Sequence, residues 1–221
     1  MNNNIVITGA NRGIGLALVE AFKKQGDNVY ALCRADSPKL TAVDVNVTTG
    51  VDVSTEQGIK RMEVALKHVS IDVLICNAGI LRNDQLSQLN IDTIREQFEV
   101  NALAPLRVVN CLLSNMNKNS KVAMITSRMG SMTDNCSGGY YGYRMSKAAL
   151  NAAAVSLAND ISDHGISLGI YHPGYVQTDM VNQGGDISAD LAAQRITQLI
   201  NQLHLAESGK FRHANGDNLP W

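Results

Sequence analysis

Short apolar, β-branched runs alternate along this chain with longer amphipathic stretches, and the hydrophobic period switches from two to about 3.6 at each change. Residues 5–8 read as a first strand and residues 13–24 as a helix that closes near Gly26. Residues 28–33 read as a second strand, and 51–53 as the end of a third. A helix over 55–68 precedes an apolar strand over 71–76, and 86–116 is largely helical with a break near Asn101. A fifth strand over 121–126, a long helix over 143–161 and a sixth strand over 166–171 follow. Strand and helix in this order predict a parallel sheet with right-handed crossovers, covered by helices on both faces. No Pro-rich or Ser-rich linker and no block of like charge interrupts the series, so residues 1–221 are expected to form a single domain. The stretch 35–50 is irregular: Asp36, Ser37, Pro38, Thr48, Thr49 and Gly50 favour turns, and the usual crossover helix is expected to be missing there.

Composition narrows the function more than the fold. The 221 residues are 45% hydrophobic and 18% charged, with a formal net charge of −1. A chain of that length buries a core without disulfides or a structural metal. The charge balance leaves no electrostatic footprint for nucleic acid, and no apolar run approaches the roughly 20 residues of a membrane span. Met1-Asn2-Asn3-Asn4 has neither the basic nor the apolar region of a signal peptide, so a cytoplasmic protein is the expectation. Cys33, Cys76, Cys111 and Cys136 are far apart and the five histidines are scattered, so no metal site is expected.

The first strand runs into Thr8-Gly9-Ala10-Asn11-Arg12-Gly13-Ile14-Gly15 before the first helix. In such a turn Gly9 permits a sharp bend, Gly13 lets a phosphate approach the backbone, and Gly15 lets the helix pack on the strand. The free N–H groups and positive end of the helix form an anion site. Gly9, Asn11, Arg12, Gly13, Ile14 and Gly15 are therefore the candidate cradle of a dinucleotide. The second strand ends Ala31-Leu32-Cys33-Arg34, without the carboxylate that usually holds a bare ribose. Arg34 and Arg12 together suit a 2′-phosphate, so NADP(H) is expected over NAD(H), with Asp36 as the counter-signal.

Three tyrosines precede the long helix, and only Tyr143 has a lysine, Lys147, four residues on and so on the same helical face. An ammonium beside a phenol favours the phenolate and lowers its pKa. Pro105 has no N–H to donate to the carbonyl of Asn101, four residues earlier, so the helix is expected to kink and free that oxygen.

Thr8-Gly9-x-x-x-Gly13-x-Gly15, Asn77-Ala78-Gly79, Asn101, Ser127, Tyr143-x-x-x-Lys147 and Pro173-Gly174 occur in the order of the short-chain dehydrogenase/reductase family. The resemblance covers essentially the whole chain. Thr126-Ser127-Arg128-Met129-Gly130-Ser131, Gly138-Gly139-Tyr140-Tyr141-Gly142-Tyr143-Arg144 and the ending Gly216-Asp217-Asn218-Leu219-Pro220-Trp221 resemble more particularly the C-factor and sniffer-type carbonyl reductases. This implies a Rossmann-like, doubly wound, mostly parallel seven-stranded sheet. It also implies NADPH-dependent reduction of small aldehydes and ketones to alcohols.

The resemblance assigns roles by position. Tyr143 would be the general acid, Lys147 would hold the nicotinamide ribose and depress the tyrosine pKa, and Ser127 would bind the developing oxyanion. Ser127 lies sixteen residues before Tyr143, farther than is usual, which makes Ser131, twelve before, a rival. Asn101 would hold a water that links Lys147 to solvent. Asp52 and Val53 would meet the adenine, and Asn77, Ala78 and Gly79 would let backbone approach the cofactor. Pro173, Gly174, Val176 and Thr178 would lie near the nicotinamide carboxamide. Residues 179–190 read as a mobile substrate lid with Gly184 and Gly185 as its hinge. Ala148, Ala149, Ala152, Ala153 and Ala154 on the long helix suit either a homodimer or homotetramer interface or the protomer's own sheet. The resemblance leaves a second function open, a dinucleotide-binding signalling protein of the C-factor type with little or no turnover. A nucleotide-sugar epimerase would need an extra substrate domain for which the chain has no residues.

Overall fold

The computed structural model describes residues 2–221. β1 (Asn4–Thr8) leads into α1 (Gly13–Lys24), β2 (Asn28–Leu32) into α2 (Pro38–Thr41), and β3 (Asn46–Thr48) into α3 (Glu56–Leu66). β4 (Ile71–Cys76) is followed by α4 (Ile91–Phe98), a π-turn at Glu99–Leu103 and α5 (Ala104–Leu112). Then come β5 (Met116–Ile125), α6 (Tyr141–Ser162), β6 (Ser167–His172), α7 (Ala189–Gln202) and β7 (Phe211–His213). The strands form one sheet in the order β3-β2-β1-β4-β5-β6-β7, and every neighbouring pair is parallel.

Side chains alternate between faces along a strand, so a sheet covered on both faces needs strands that are apolar throughout. Ile5 and Ile7 of β1 pack with Leu18 and Phe22 of α1 and with Ile196 and Ile200 of α7. Val6, between them, packs on the other side with Met62 and Leu66 of α3, Val108 of α5, and Leu150 and Ile161 of α6. The chain builds outward from β1 to β3 and returns to the far side of β1 for β4. Strand order therefore reverses between β1 and β4, which opens a crevice beyond their carboxyl ends. No described helix is long and apolar enough to cross a membrane.

The irregular stretch after β2 differs from its sequence reading in two ways. The crossover helix is not missing: one turn, α2, forms with Ser37 Oγ accepting from Leu40 N at 3.2 Å and Leu40 fully buried. The third strand lies at Asn46–Thr48, and Val51 and Val53 come after it. Their apolar character reflects burial against Met62 and Leu66 of α3 rather than a strand. Similarly, β5 begins five residues earlier than its apolar run, because its pairing with β4 shifts register between Ile71–Met116 and Val73–Lys121.

Leu74 is completely buried in the middle of β4. Leu74→Ala is expected to lower the unfolding free energy by about 3 kcal/mol, read from urea denaturation at fixed protein concentration. A loss below about 1 kcal/mol would mean that this layer of the core is loosely packed.

Candidate active site

The carboxyl ends of β1 and β4 are joined by a clasp. Thr8 Oγ1 accepts from Asn77 N at 3.0 Å and from Ala78 N at 3.1 Å, while Asn77 Nδ2 donates to Thr8 O at 3.0 Å and Gly9 O at 3.1 Å. Gly9 has φ +66°, and a Cβ there would stand 2.8 Å from Ala78 Cα. A Cβ on Gly15 would overlap the Gly9 carbonyl oxygen, so α1 does pack directly on the turn. No side chain caps α1 and no acid stands in its first turn. Its amino-terminal N–H groups thus lack a side-chain partner, and this is the fit expected for an anionic phosphate.

The two arginines lie on adjoining loops. Asn11 Nδ2 donates to Ala35 O at 2.8 Å and Ser37 Oγ donates to Asn11 O at 2.7 Å, which ties the neighbours of Arg12 to those of Arg34. Both arginines are exposed, and neither forms an ion pair among the described residues. The Asp36 carboxylate is engaged locally, accepting from Ser37 N at 2.7 Å and Thr41 Oγ1 at 3.1 Å. Asp52 accepts from Ser54 N at 3.0 Å and Ser54 Oγ at 2.6 Å. Partial burial raises its pKa, but those bonds and nearby Arg34 outweigh the burial and hold it below the ordinary value.

Past β5, Ser127 and Tyr143 meet. Both are buried, and the Ser127 hydroxyl stands close enough to the phenol to act against the rise in its pKa. Burial wins nonetheless and pushes the phenol up to about 12. Lys147 is also buried, and its Nζ lies 5.8 Å from the Tyr143 ring centroid. That Nζ donates to Ile125 O at 2.9 Å, and burial lowers its pKa to about 8. The protein's own groups therefore do not depress the tyrosine as the resemblance implied, because desolvation exceeds the help from neighbours. Both serines also accept locally, Ser127 Oγ from Met129 N and Ser131 Oγ from Asp134 N, each at 3.1 Å.

The break near Asn101 is a π-turn in which Ala104 N donates to Glu99 O, immediately before Pro105. Asn101 is fully buried, and its side chain clamps one residue of the loop after β4: Oδ1 accepts from Ile80 N and Nδ2 donates to Ile80 O, each at 2.8 Å. Nδ2 also donates to Ser146 Oγ at 3.0 Å, which links the π-turn to α6. A Cβ on Gly79 would stand 3.2 Å from Asn101 Oδ1 and 3.7 Å from Lys147 Nζ, so this glycine lies between the two groups.

Sequence reasoning missed three buried residues here: Asp84, Gln97 and Ser146. Gln97 Oε1 accepts from Arg82 N at 2.8 Å, and the Asp84 carboxylate accepts from Gly142 N, next to Tyr143. A signal existed for Gln97, which stands one helical turn before Asn101 and shares its face. Asp84 is a single acid in a loop and carried none.

After β6, Gly174 turns the chain with φ +97°, and Thr178 lies over the glycine turn, its Cγ2 3.3 Å from where a Cβ on Gly13 would be. Val176 is buried and pairs with Ile187 in an isolated bridge, while Asp186 N donates to Tyr175 O at 2.7 Å. A Cβ on Gly185 would overlap the backbone of Val176 and Gln177. Gly185 is thus a close-packing residue in this conformation, and residues 189–190 belong to α7, which Ser188 caps. On α6, Ala154 is buried, whereas Ala152 and Met145 are exposed.

Comparison with known proteins agrees with this arrangement. The sequence model of the short chain dehydrogenase family matches residues 3–187. A 1-hydroxy-2-glutathionyl-2-methyl-3-butene dehydrogenase of Rhodococcus sp. (strain AD45) is 34% identical over 225 residues, covering 99% of this chain and 100% of that protein. The C-signal protein of Myxococcus xanthus is 38% identical over 154 residues, 68% of this chain and 93% of that protein. The crystal structure of an NADPH-bound carbonyl reductase from chicken fatty liver matches with a TM-score of 0.91 at 26% identity, covering 100% of this chain and 99% of that one. A match over most of the length, on the same fold, makes this chain an oxidoreductase that belongs to the short-chain dehydrogenase/reductase family.

Proposed function

We propose that the protein reduces small aldehydes and ketones to alcohols with NADPH, using Tyr143 as general acid. The observation that carries this reading is a buried Tyr143 beside buried Ser127 at the carboxyl end of β5, with the Lys147 Nζ 5.8 Å from its ring. Burial favours the protonated, acid form of the phenol, although proton transfer is most efficient when the pKa lies near the working pH. Bound NADPH supplies the hydride. Tyr143 donates its proton to the carbonyl oxygen, and Ser127 hydrogen-bonds that oxygen as charge develops on it. Lys147 would hold ribose hydroxyls of the nucleotide, and Asn101 keeps the loop carrying Gly79 against that site. The uncapped start of α1 with Gly9, Asn11, Gly13, Ile14 and Gly15 would hold the diphosphate, and Arg12 with Arg34 the 2′-phosphate. Asp52 and Val53 would flank the adenine beside Asn77 and Ala78, and Pro173, Gly174, Val176 and Thr178 the nicotinamide. Residues 179–190, whose last two open α7, would cover the substrate, anchored by the Val176–Ile187 bridge. The outward face of α6 around Ala152 and Met145 would pair two copies into a homodimer, which light scattering tests.

Similarity to the C-signal protein favours a second reading, a signalling role resting on dinucleotide binding. NADPH oxidation against hexanal, 4-nitrobenzaldehyde and cyclohexanone separates the two: tight NADPH binding with no turnover on any carbonyl would favour signalling.

Tyr143→Phe is expected to lower kcat for reduction by at least about 100-fold while NADPH still binds. Turnover near wild type would remove the tyrosine from the mechanism. Arg12→Ala combined with Arg34→Ala should cut the preference for NADPH over NADH by about tenfold or more, since charge-assisted bonds contribute about 1.5–3 kcal/mol each. An unaltered preference would assign the 2′-phosphate to other groups. Reduction needs Tyr143 protonated and Lys147 charged. Tyr143 stays protonated through the accessible range, whereas Lys147 loses its proton as the pH rises through about 8. A kcat/KM profile for reduction should therefore be level below that pH and decline above it; a profile rising with pH would contradict these assignments.

A further inference from the structure

We propose that Asp84 is the positioning residue for the general acid: its buried carboxylate grips the amino end of α6 and so sets where the Tyr143 phenol stands. The proposal rests on the reading of Tyr143 as the acid. It begins from a defect in α6. The helix is 22 residues long, yet its N-cap, Tyr140, offers no side-chain hydrogen bond and sits in the left-handed region at φ +53°. Helices normally open on a Ser, Thr, Asp or Asn that satisfies the first amides. Here the acceptor comes from the loop after β4. Asp84 Oδ2 and Oδ1 accept from Gly142 N at 3.2 and 3.4 Å, and the Asp84 carbonyl accepts from Tyr140 N at 2.8 Å. One residue thus holds the helix entry by both its main chain and its side chain.

The carboxylate is 3% exposed and has no cationic partner among the described residues. What faces it is the positive end of α6 and Gln97 Nε2, 3.5 Å from Oδ2. Gln97 is itself fully buried and held from its other end by Arg82 N. A Cβ on Gly142 would overlap the Gln97 amide and stand 3.0 Å from Ile94 Cα, so α4 presses directly on the residue before Tyr143. The loop that carries Asp84 is also the one Asn101 clamps at Ile80. One strap, residues 80–84, therefore registers the π-turn and the start of α6 against each other. A shift in this strap moves the acid relative to the cofactor crevice, and a misplacement of about 1 Å at a reacting group costs about 100-fold.

The test compares Asp84→Ala and Asp84→Asn with wild type in NADPH-dependent reduction of 4-nitrobenzaldehyde, with NADPH affinity read from cofactor fluorescence. Asp84→Ala should lose tenfold or more in kcat while the Kd for NADPH stays within twofold. Asp84→Asn, whose amide oxygen still accepts from Gly142 N, should recover most of the kcat. Unchanged kcat in Asp84→Ala, NADPH affinity falling in step with kcat, or no recovery in Asp84→Asn would each overturn the proposal. If Asp84→Ala does not fold, Asp84→Glu replaces it, because the extra methylene displaces the carboxylate: the same split is expected, and wild-type kcat overturns. Tyr143→Phe is assayed in parallel. Its retained activity would bring down the general-acid reading and this proposal with it, whereas an inactive Tyr143→Phe beside a fully active Asp84→Ala would remove Asp84 alone.

Discussion

Where β1 and β4 part at the reversal of strand order, their last polar groups must be satisfied without a ladder. The clasp between Thr8 and Asn77 does this, and the geometry of the crevice is measured from it. Ladder pairing between the two strands covers Ile5 to Ile7 on one side and Val73 to Ile75 on the other. Beyond it, the Thr8 hydroxyl takes two amides from β4's exit, and the Asn77 amide takes two carbonyls from β1's exit. Unpaired buried polar groups are costly, so this exchange permits an open crevice inside a well-packed sheet. It also holds Ala78 against Gly9, leaving no room for a side chain on the turn.

The chemistry depends on a second constraint, the low polarizability of the surroundings of α6. Tyr143 and Lys147 sit one turn apart, and burial drives each toward its neutral form, the phenol up to about 12 and the ammonium down to about 8. The first of these favours the protonated phenol. The second places the lysine's titration close to physiological pH.

The sheet also places these groups by direction alone. Parallel strands bring all their carboxyl ends to one edge, so the glycine turn, Asn77 to Gly79, Ser127 and the turn at Gly174 share that edge although scattered in sequence. α6 brings Tyr143 and Lys147 up to it, bonded at Ser146 by Asn101 of the π-turn and at Gly142 by Asp84 of the loop after β4.

What the sequence determined by itself was everything encoded in local pattern. Apolar runs marked β1, β2, β4 and β6, since strands buried on both faces must be apolar throughout. The glycine spacing marked the turn before α1, and the Tyr143–Lys147 spacing marked one helical face. Pro105 marked the break that forms the π-turn, because a missing N–H is a local fact. Tertiary structure alone decided the rest. Val51 and Val53 are apolar because α3 covers them, so their pattern imitated a strand. Gly185 looked like a hinge and is a contact point with Val176 and Gln177. Ser127 and Ser131 are equivalent as letters and both accept from their own loop, and only folding brings Ser127 beside Tyr143. The direction of the Tyr143 shift depends on how much of the phenol is buried, which spacing does not record. Asp84 reaches Gly142 across 58 positions of sequence, and nothing local to either residue foretells a bond made only when a loop and a helix start are brought together.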